Sequence, residues 1–210
     1  MQEEHGFVWR AILETIDIDL AGTRVLDVGC NRGGFLRLLV DGAGIAEGCG
    51  YDPASGAVDD ARRLADDRPL RFETSATVPA AWTEFDVAFS HEVLYLLHDL
   101  PSHAAAMIAA IKPGAPYFAV MGVHAQSSLM SAWHAASAAA LDLPRLYNLD
   151  EVVEVFEGAG FEAAVARLQL RFVPVSAHRT DHEHRGDLIE WLDYYHRDKV
   201  LFRFARPAQS

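Results

Sequence analysis

A glycine-rich segment directly after an apolar run is the part of this sequence best suited to bind a nucleotide-like ligand. The apolar residues 25–28 end at Gly29, and a second glycine, Gly33, precedes a helix-like pattern that begins at Phe35. Glycines let the backbone approach a ligand closely, and a helix start offers amides without intrahelical partners. Asp27 adds an acceptor beside the turn. The segment therefore predicts a strand, a tight turn and a helix that form a ligand-binding loop.

A second acidic residue follows at a spacing typical of ribose recognition. Asp52 ends another apolar segment, immediately before Pro53. It lies about 20 positions beyond Gly33, the separation at which an acid reaches ribose hydroxyls in α/β nucleotide sites. The alternative is a solvated acid in a proline turn.

The glycine spacing argues against a nicotinamide dinucleotide, because Asn31 stands where a Gly-x-Gly-x-x-Gly motif has its middle glycine. Asparagine tolerates left-handed backbone angles better than most residues do. We therefore expect the turn itself to persist.

Strand-like and helix-like segments alternate around this loop, which predicts βαβ units and a mostly parallel sheet. A capping box with Asn148 and Glu151 is predicted to open one of the later helices. The predicted strands cover residues 24–28, 46–51, 71–73, 85–90, 117–123, 163–175 and 200–204. The predicted helices cover residues 7–16, 33–41, 55–64, 101–111, 125–141, 148–158 and 187–195.

Composition limits the classes of partner. The chain has 210 residues, half of them hydrophobic, and a formal net charge of -12. This charge disfavours nucleic acid and anionic membrane surfaces, both of which attract basic proteins. No apolar run approaches the roughly 18 residues of a membrane helix, and residues 1–20 lack the apolar stretch of a signal peptide. Cys30 and Cys49 show no metal-type spacing. We expect a cytoplasmic protein without a metal, and oligomeric state is open.

The order of these elements, taken together with five short motifs, resembles the class I S-adenosylmethionine-dependent methyltransferases from about residue 20 to 206. The resemblance implies a single domain over residues 1–210. Its fold would be α/β and doubly wound, with a mostly parallel, Rossmann-like sheet of seven strands in the order 3-2-1-4-5-7-6 and strand 7 antiparallel. The motifs are Leu-Asp-Val-Gly-Cys at residues 26–30, Tyr-Asp-Pro at 51–53, the strand-four segment at 84–94, Ile-Lys-Pro-Gly at 111–114, and the segment at 156–161.

The resemblance also implies S-adenosyl-L-methionine as the cofactor. Asp52 would accept hydrogen bonds from the ribose diol, and Asp27 would hold the methionine ammonium, directly or through water. The alternative for Asp27 is a partner of the helix dipole. The expected cofactor-binding residues are Asp27, Gly29, Cys30, Asn31, Gly33, Phe35, Asp52, Pro53, Ser75, Ala76, Ser90 and His91.

One position departs from the family pattern. After the third strand the family often has an acid that accepts a hydrogen bond from the adenine amino group, and this chain has Ser75 there. A hydroxyl accepts more weakly than a carboxylate, and the Ala76 amide offers a further contact. Weaker donor affinity is one consequence to test.

Methyl transfer from a sulfonium is an in-line displacement, in which alignment of the two reactants in a closed pocket supplies much of the rate. A base is needed only if the acceptor must lose a proton. Ligands bind beyond the carboxyl ends of the strands, which nominates His91 as the catalytic residue and His124 as an acceptor contact. The alternative is that His91 lines the donor pocket or packs without moving a proton. If residues 91–98 were helical, His91, Tyr95 and His98 would share one face.

The acceptor is expected to be a small molecule, a metabolite or natural product, bound by helices near 1–17, 125–141 and 187–195. A catalytically inactive, methyltransferase-like binding protein is the alternative. Trp133 and Trp191 could equally be packing anchors. His178, His182 and His184 lack an accompanying metal-ligand pattern and are predicted to lie in a solvated loop. The expected substrate-binding residues are His124, Trp133, Tyr147 and Trp191.

Overall fold

A mixed β-sheet with helices on both faces forms the body of the protein. The computed structural model describes residues 2–175 and 187–208, and within that part the sheet is seven-stranded. Its strands are β1 (Arg24–Val28), β2 (Glu47–Asp52), β3 (Leu70–Thr74), β4 (Val87–His91), β5 (Pro116–Met121), β6 (Glu162–Arg167) and β7 (Val200–Ala205).

The helices of the described part fall between these strands, apart from α1, which precedes β1. They are α1 (Gln2–Thr15), α2 (Gly34–Ala43), α3 (Ser55–Ala65), α4 (Leu100–Ala110), α5 (Ser128–Leu141), α6 (Leu149–Gly158) and α7 (Leu188–Asp193). A 3₁₀ turn covers Leu94–Leu96. A π-helical segment, Tyr194–Asp198, follows α7 directly.

The strand order is β3-β2-β1-β4-β5-β7-β6, with β1 to β5 parallel and β7 antiparallel to both of its neighbours. The predicted fold class and strand order are therefore confirmed. The chain reverses its direction of winding between β1 and β4. In such sheets ligands bind beyond the carboxyl ends of the strands at this switch point.

Each face of the sheet has its own hydrophobic cluster because strand side chains alternate between faces. Val25 and Phe89 belong to the cluster that includes residues of α1, α2 and α3. Leu26 and Ala88 belong to the opposite cluster, with residues of α4 and α6. Met130 of α5 joins the first cluster. The additional helix α5 therefore packs on the same face of the sheet as α1 to α3.

Three local predictions can be compared with the structure. The capping box is confirmed: the Asn148 side chain accepts a hydrogen bond from the Glu151 amide, and the Glu151 carboxylate accepts one from the Asn148 amide. The sixth strand was predicted too long, since β6 ends at Arg167. Residues 91–98 do not form an α-helix, because Glu92 has a φ of 58° and only a 3₁₀ turn follows.

No helix in residues 2–175 and 187–208 is both long and apolar enough to cross a bilayer.

Candidate cofactor and acceptor site

The loop between β1 and α2 takes its shape from three residues with left-handed backbone angles. Gly29 and Gly33 both have a φ of 68°, and Asn31 between them has a φ of 47°. Asparagine therefore does adopt the conformation expected of it, and the turn is intact without the middle glycine. The Gly33 amide donates a hydrogen bond to the Cys30 carbonyl oxygen at 2.8 Å, which closes the turn before α2.

Close packing also requires glycine in this region. A Cβ on Gly33 would lie 2.5 Å from the Phe72 ring, and one on Gly29 would lie 2.5 Å from a Val93 methyl group. Gly50 in β2, which no sequence motif singles out, has the same role: its Cβ would lie 2.6 Å from that of Cys30. The loop is therefore seated directly against the sheet.

The Asp52 carboxylate is fixed by two backbone amides. Asn31 donates to Oδ2 and Ala54 donates to Oδ1, both at 2.9 Å. The carboxylate thus stands between the glycine loop and the start of α3, at the carboxyl end of β2. A carboxylate can accept about four hydrogen bonds, so capacity remains for a diol.

Asp27 lies deeper, at the end of β1, and is only 5% exposed. Burial, with a further effect of the Asp52 charge, raises its pKa to about 8. Within the described residues no hydrogen bond reaches its carboxyl group. A buried carboxyl without a protein partner fits a cationic ligand group such as the methionine ammonium, which would favour its ionised form.

Ser75 follows β3 and is tied to Asp52 through the backbone. Its amide donates to the Asp52 carbonyl oxygen at 3.1 Å. Its hydroxyl donates to the Thr77 carbonyl oxygen at 2.7 Å and accepts a hydrogen bond from the Thr77 amide at 3.2 Å. Because the hydroxyl proton of Ser75 is donated to the Thr77 carbonyl oxygen, this hydroxyl can only accept a hydrogen bond from the adenine amino group. Ala76 and Pro53 are exposed beside it.

Three of the expected cofactor-binding residues, Cys30, Phe35 and Ser90, have their side chains in the core; that of Cys30 packs on Gly50 and is 5% exposed. Ser90 is 2% exposed, and its hydroxyl accepts a hydrogen bond from Tyr117 at 2.7 Å. Tyr117 in turn contacts His103, whose pKa burial lowers to about 4. Phe35 packs edge-on against Phe89, with 5.2 Å between the ring centroids. Ser90 could therefore contact a cofactor only through its backbone, and Phe35 chiefly supports α2.

Beyond β4 the structure contains a buried ion pair that the sequence did not indicate. The Lys199 ammonium donates to the Glu92 carboxylate, which also accepts hydrogen bonds from the Gly122 amide at 3.1 Å and the Tyr194 hydroxyl at 3.3 Å. Burial opposes ionisation of Glu92, yet the Lys199 ammonium and His91 together hold its pKa below the ordinary value. His91 is half-buried beside this pair, at the end of β4.

His124, after β5, is 2% exposed and bonded to the π-helical segment. Its Nε2 lies 2.8 Å from the Asp198 carbonyl oxygen, so Nε2 donates this hydrogen bond. Nδ1 is buried and has no partner among the residues that the structure describes. Ser127 donates to the Asp198 carboxylate at 2.6 Å and secures the same segment.

The three aromatic residues expected to contact the acceptor lie in different environments. Trp133 is half-buried and packs edge-on against Tyr95, with centroids 6.2 Å apart. Trp191 is completely buried against Tyr195, so the packing alternative describes it. Tyr147 belongs to the cluster on the other face of the sheet and donates to the Leu97 carbonyl oxygen at 2.6 Å. Of these three residues, only Trp133 is both partly exposed and close to Tyr95, which follows the carboxyl end of β4.

The three-histidine segment, His178, His182 and His184, lies outside the described residues. Within residues 2–175 and 187–208 no group of three or more His, Cys, Asp or Glu residues is arranged to hold a metal ion.

The strand order and the glycine loop with its downstream acid define a class I methyltransferase fold. The sequence comparison identifies the family: a model described as "Methyltransferase domain" matches residues 2–165. The chain therefore belongs to the S-adenosylmethionine-dependent class I methyltransferase family, whose cofactor is S-adenosyl-L-methionine. A search of curated proteins finds no match.

Solved structures with the same fold include several methyltransferases. A chain from the complex between the Haloferax volcanii Trm112 methyltransferase activator and a methyltransferase is 21% identical, with a TM-score of 0.83 and coverage of 99% of this chain and 92% of that one. Geranyl diphosphate C-methyltransferase from Streptomyces coelicolor, solved with Mg²⁺, geranyl diphosphate and S-adenosyl-L-homocysteine, is 16% identical, with a TM-score of 0.74 and coverage of 96% and 79%. Haemonchus contortus phosphoethanolamine N-methyltransferase 2, solved with S-adenosyl-L-methionine, is 20% identical, with a TM-score of 0.69 and coverage of 96% and 52%. At these identities the likeness concerns the fold.

Proposed function

We propose that this protein transfers a methyl group from S-adenosyl-L-methionine to a small-molecule acceptor. The observation that carries the proposal is the Asp52 carboxylate, held by the Asn31 and Ala54 amides beside an intact glycine loop. S-adenosyl-L-methionine supplies an electrophilic methyl group on a sulfonium when it is bound. Everything else the reaction needs must come from the chain or the acceptor.

The roles proposed for the donor side follow from charge and position. Asp52 accepts hydrogen bonds from the ribose diol, since its carboxylate is already oriented by two amides. Asp27 receives the ammonium, because its buried carboxyl has no hydrogen-bond partner among the described residues and gains one on binding. Gly29 and Gly33 let the ligand lie against the backbone. Ser75 and the Ala76 amide face the adenine.

The acceptor side is proposed to lie at the carboxyl ends of β4 and β5, under α1, α5 and α7. The π-helical segment is held there by Lys199 through Glu92 and by His124 through Asp198. Phe7 of α1 packs against Tyr195, with centroids 5.3 Å apart. Trp133 offers a half-buried aromatic surface. A small, partly apolar acceptor suits such a setting.

His91 is proposed to contact the acceptor and, where the acceptor atom bears a proton, to accept it. His91 ends β4 and is paired with Val120 of β5, which puts it at the carboxyl end of the sheet, where the donor and acceptor sides are proposed to meet. His124 is proposed as a further acceptor contact through Nδ1.

Turnover is the test of this proposal. Purified protein is incubated with S-adenosyl-L-methionine and a panel of metabolites, and S-adenosylhomocysteine is quantified by mass spectrometry. Acceptor-dependent product that fails to form in the Asp52→Ala variant supports the proposal. Tight donor binding without product from any acceptor, with and without lysate added to supply a partner, would favour the inactive binding protein. A thermal shift with NAD but not with S-adenosylhomocysteine would reject both.

A further inference from the structure

A cleft of ≈ 640 Å³ lies between α1 and α2, and arginines dominate the charge on its walls. Arg10 comes from α1, Arg37 from α2, and Arg68 from the turn after α3. Asp41 of α2 is the acidic residue in the lining. Three guanidinium groups around one carboxylate is an unusual local balance in a chain whose formal net charge is -12.

The single carboxylate is already neutralised. Arg68 binds Asp41 with both prongs of its guanidinium, at 2.8 Å from Nε to Oδ1 and 2.9 Å from Nη2 to Oδ2. Such a two-pronged contact is the strongest form of arginine–carboxylate pairing. Asp41 therefore has little capacity left to balance the other two arginines of the cleft.

Arg37 is charged and 7% exposed, yet in the part of the chain that the structure describes it has no acidic partner within ion-pair distance. Its Nη1 donates to the Arg32 carbonyl oxygen at 2.6 Å, and this is its one hydrogen bond there. Burial and the neighbouring charges of Arg68 and Arg32 lower its pKa, against a weaker opposing effect of Asp41. A buried guanidinium without a counter-charge is destabilising unless a ligand supplies one.

Arg10 completes the cleft from the opposite wall. Its Nη1 lies 3.9 Å from the position of a Cβ on Gly6, so the guanidinium lies along α1, at the exposed side of the cleft. It has no ion pair among the described residues. Two arginines, Arg10 and Arg37, thus line one cleft from two helices with their charges unbalanced.

We propose that this cleft is a binding site for a phosphate group, separate from the cofactor site. Guanidinium groups bind phosphate oxygens through paired, charge-assisted hydrogen bonds, and a doubly charged anion would balance Arg10 and Arg37 together. The proposal does not depend on methyl transfer, because none of the three arginines belongs to the proposed donor or acceptor site.

Isothermal titration calorimetry with pyrophosphate, in chloride buffer at constant ionic strength, tests the site. We expect Arg37→Gln to weaken binding at least about tenfold. Arg63→Gln, which removes an exposed arginine of α3 paired with Asp60, should bind like the wild type. Saturating S-adenosylhomocysteine should not displace pyrophosphate. Absence of binding to the wild type, equal loss in both variants, or displacement by S-adenosylhomocysteine would overturn the proposal.

A second variant tests the cleft even if the Arg37→Gln protein does not fold. A Cβ on Gly42 meets no atom within 4 Å, so Gly42→Leu should fold and fill part of the cleft without changing charge. We expect it to weaken pyrophosphate binding; a folded Gly42→Leu protein with wild-type affinity would contradict the site. Cosedimentation with phosphatidic acid vesicles distinguishes the source of the phosphate. Vesicle binding that Arg37→Gln abolishes indicates a lipid headgroup, and pyrophosphate binding alone indicates a soluble ligand.

Discussion

The Lys199 ammonium and the Glu92 carboxylate form a buried ion pair across 107 residues of sequence. The side chains are 3% and 17% exposed. The pair joins the end of β4 to the start of β7, directly beneath the proposed acceptor side.

Removing only one of the two charges should destabilise the folded state. Lys199→Met leaves the Glu92 carboxylate buried without its cation, which typically costs about 3–5 kcal/mol. Glu92→Gln combined with Lys199→Met removes both charges and should recover a large part of the loss. Urea denaturation of the four proteins in a double-mutant cycle measures the coupling. Additive effects in the cycle would show that the two charges do not interact.

The Asp27 carboxyl, proposed to bind the cofactor ammonium, is predicted to reduce folding stability. Its pKa in the folded protein is about 8, against an ordinary value of 3.8. The folded state therefore holds a proton that the unfolded state has lost between these values, so folding stability falls as pH rises from about 4 to about 8. Asp27→Asn, which cannot ionise, should be more stable than the wild type, increasingly so toward pH 8. Urea denaturation at several pH values checks this, and a difference that stays constant with pH would contradict it.

The same carboxyl should make cofactor affinity depend on pH. Binding of an ammonium requires ionised Asp27, so affinity for S-adenosylhomocysteine should rise between pH 6 and 7.5, by at most about tenfold per pH unit. Calorimetric titrations of the wild type and of Asp27→Asn measure the two profiles. A wild-type profile as flat as that of the variant would show that Asp27 does not meet the ammonium.

Gly33 and Gly22 offer a matched comparison of backbone strain and packing. Both have positive φ, 68° and 74°, but a Cβ on Gly33 would collide with Phe72, whereas one on Gly22 meets nothing within 4 Å. Gly22→Ala should lose only the strain, about 1–2 kcal/mol. Gly33→Ala should lose about 1–3 kcal/mol more through overpacking. Chemical denaturation gives both values, and equal losses would mean that Phe72 moves aside freely.

His91→Ala should lower turnover more than it lowers cofactor affinity. The imidazole is proposed to contact the acceptor, and general acid–base contributions are typically about 10²–10⁴-fold. Dissociation constants for S-adenosylhomocysteine are compared with kcat for an acceptor found in the panel, and His98→Ala serves as a control at an exposed histidine. Full turnover with unchanged affinity would remove His91 from the mechanism.

Features set by neighbouring residues could be predicted from the sequence. The Asn148–Glu151 capping box is a contact within one helical turn. The left-handed angle of Asn31 follows from the preferences of its own side chain. The strand order followed from the family resemblance, which the motifs supported in sequence order.

Features that depend on distant parts of the chain were missed. Nothing near Glu92 in the sequence points to Lys199, and nothing near Gly50 shows that Cys30 will pack on it. The apolar pattern of residues 163–175 predicts a strand throughout. Only residues 162–167 pair with β7, and Leu168, Leu170 and Val173 then pack in the cluster with α1 and α2. An apolar pattern alone could not separate strand pairing from packing of an irregular segment.

Equilibrium dialysis against radiolabelled S-adenosyl-L-methionine measures directly whether the protein binds the cofactor through Asp52. We expect saturable retention by the wild type, with affinity lowered more than about tenfold in Asp52→Ala, because the ribose loses a charged acceptor. Asp59→Ala, at an exposed acid in α3, is the matched control and should retain the ligand normally. If folded wild-type protein retained no labelled ligand, or if Asp52→Ala retained it as well as the wild type, the proposed cofactor site would be wrong.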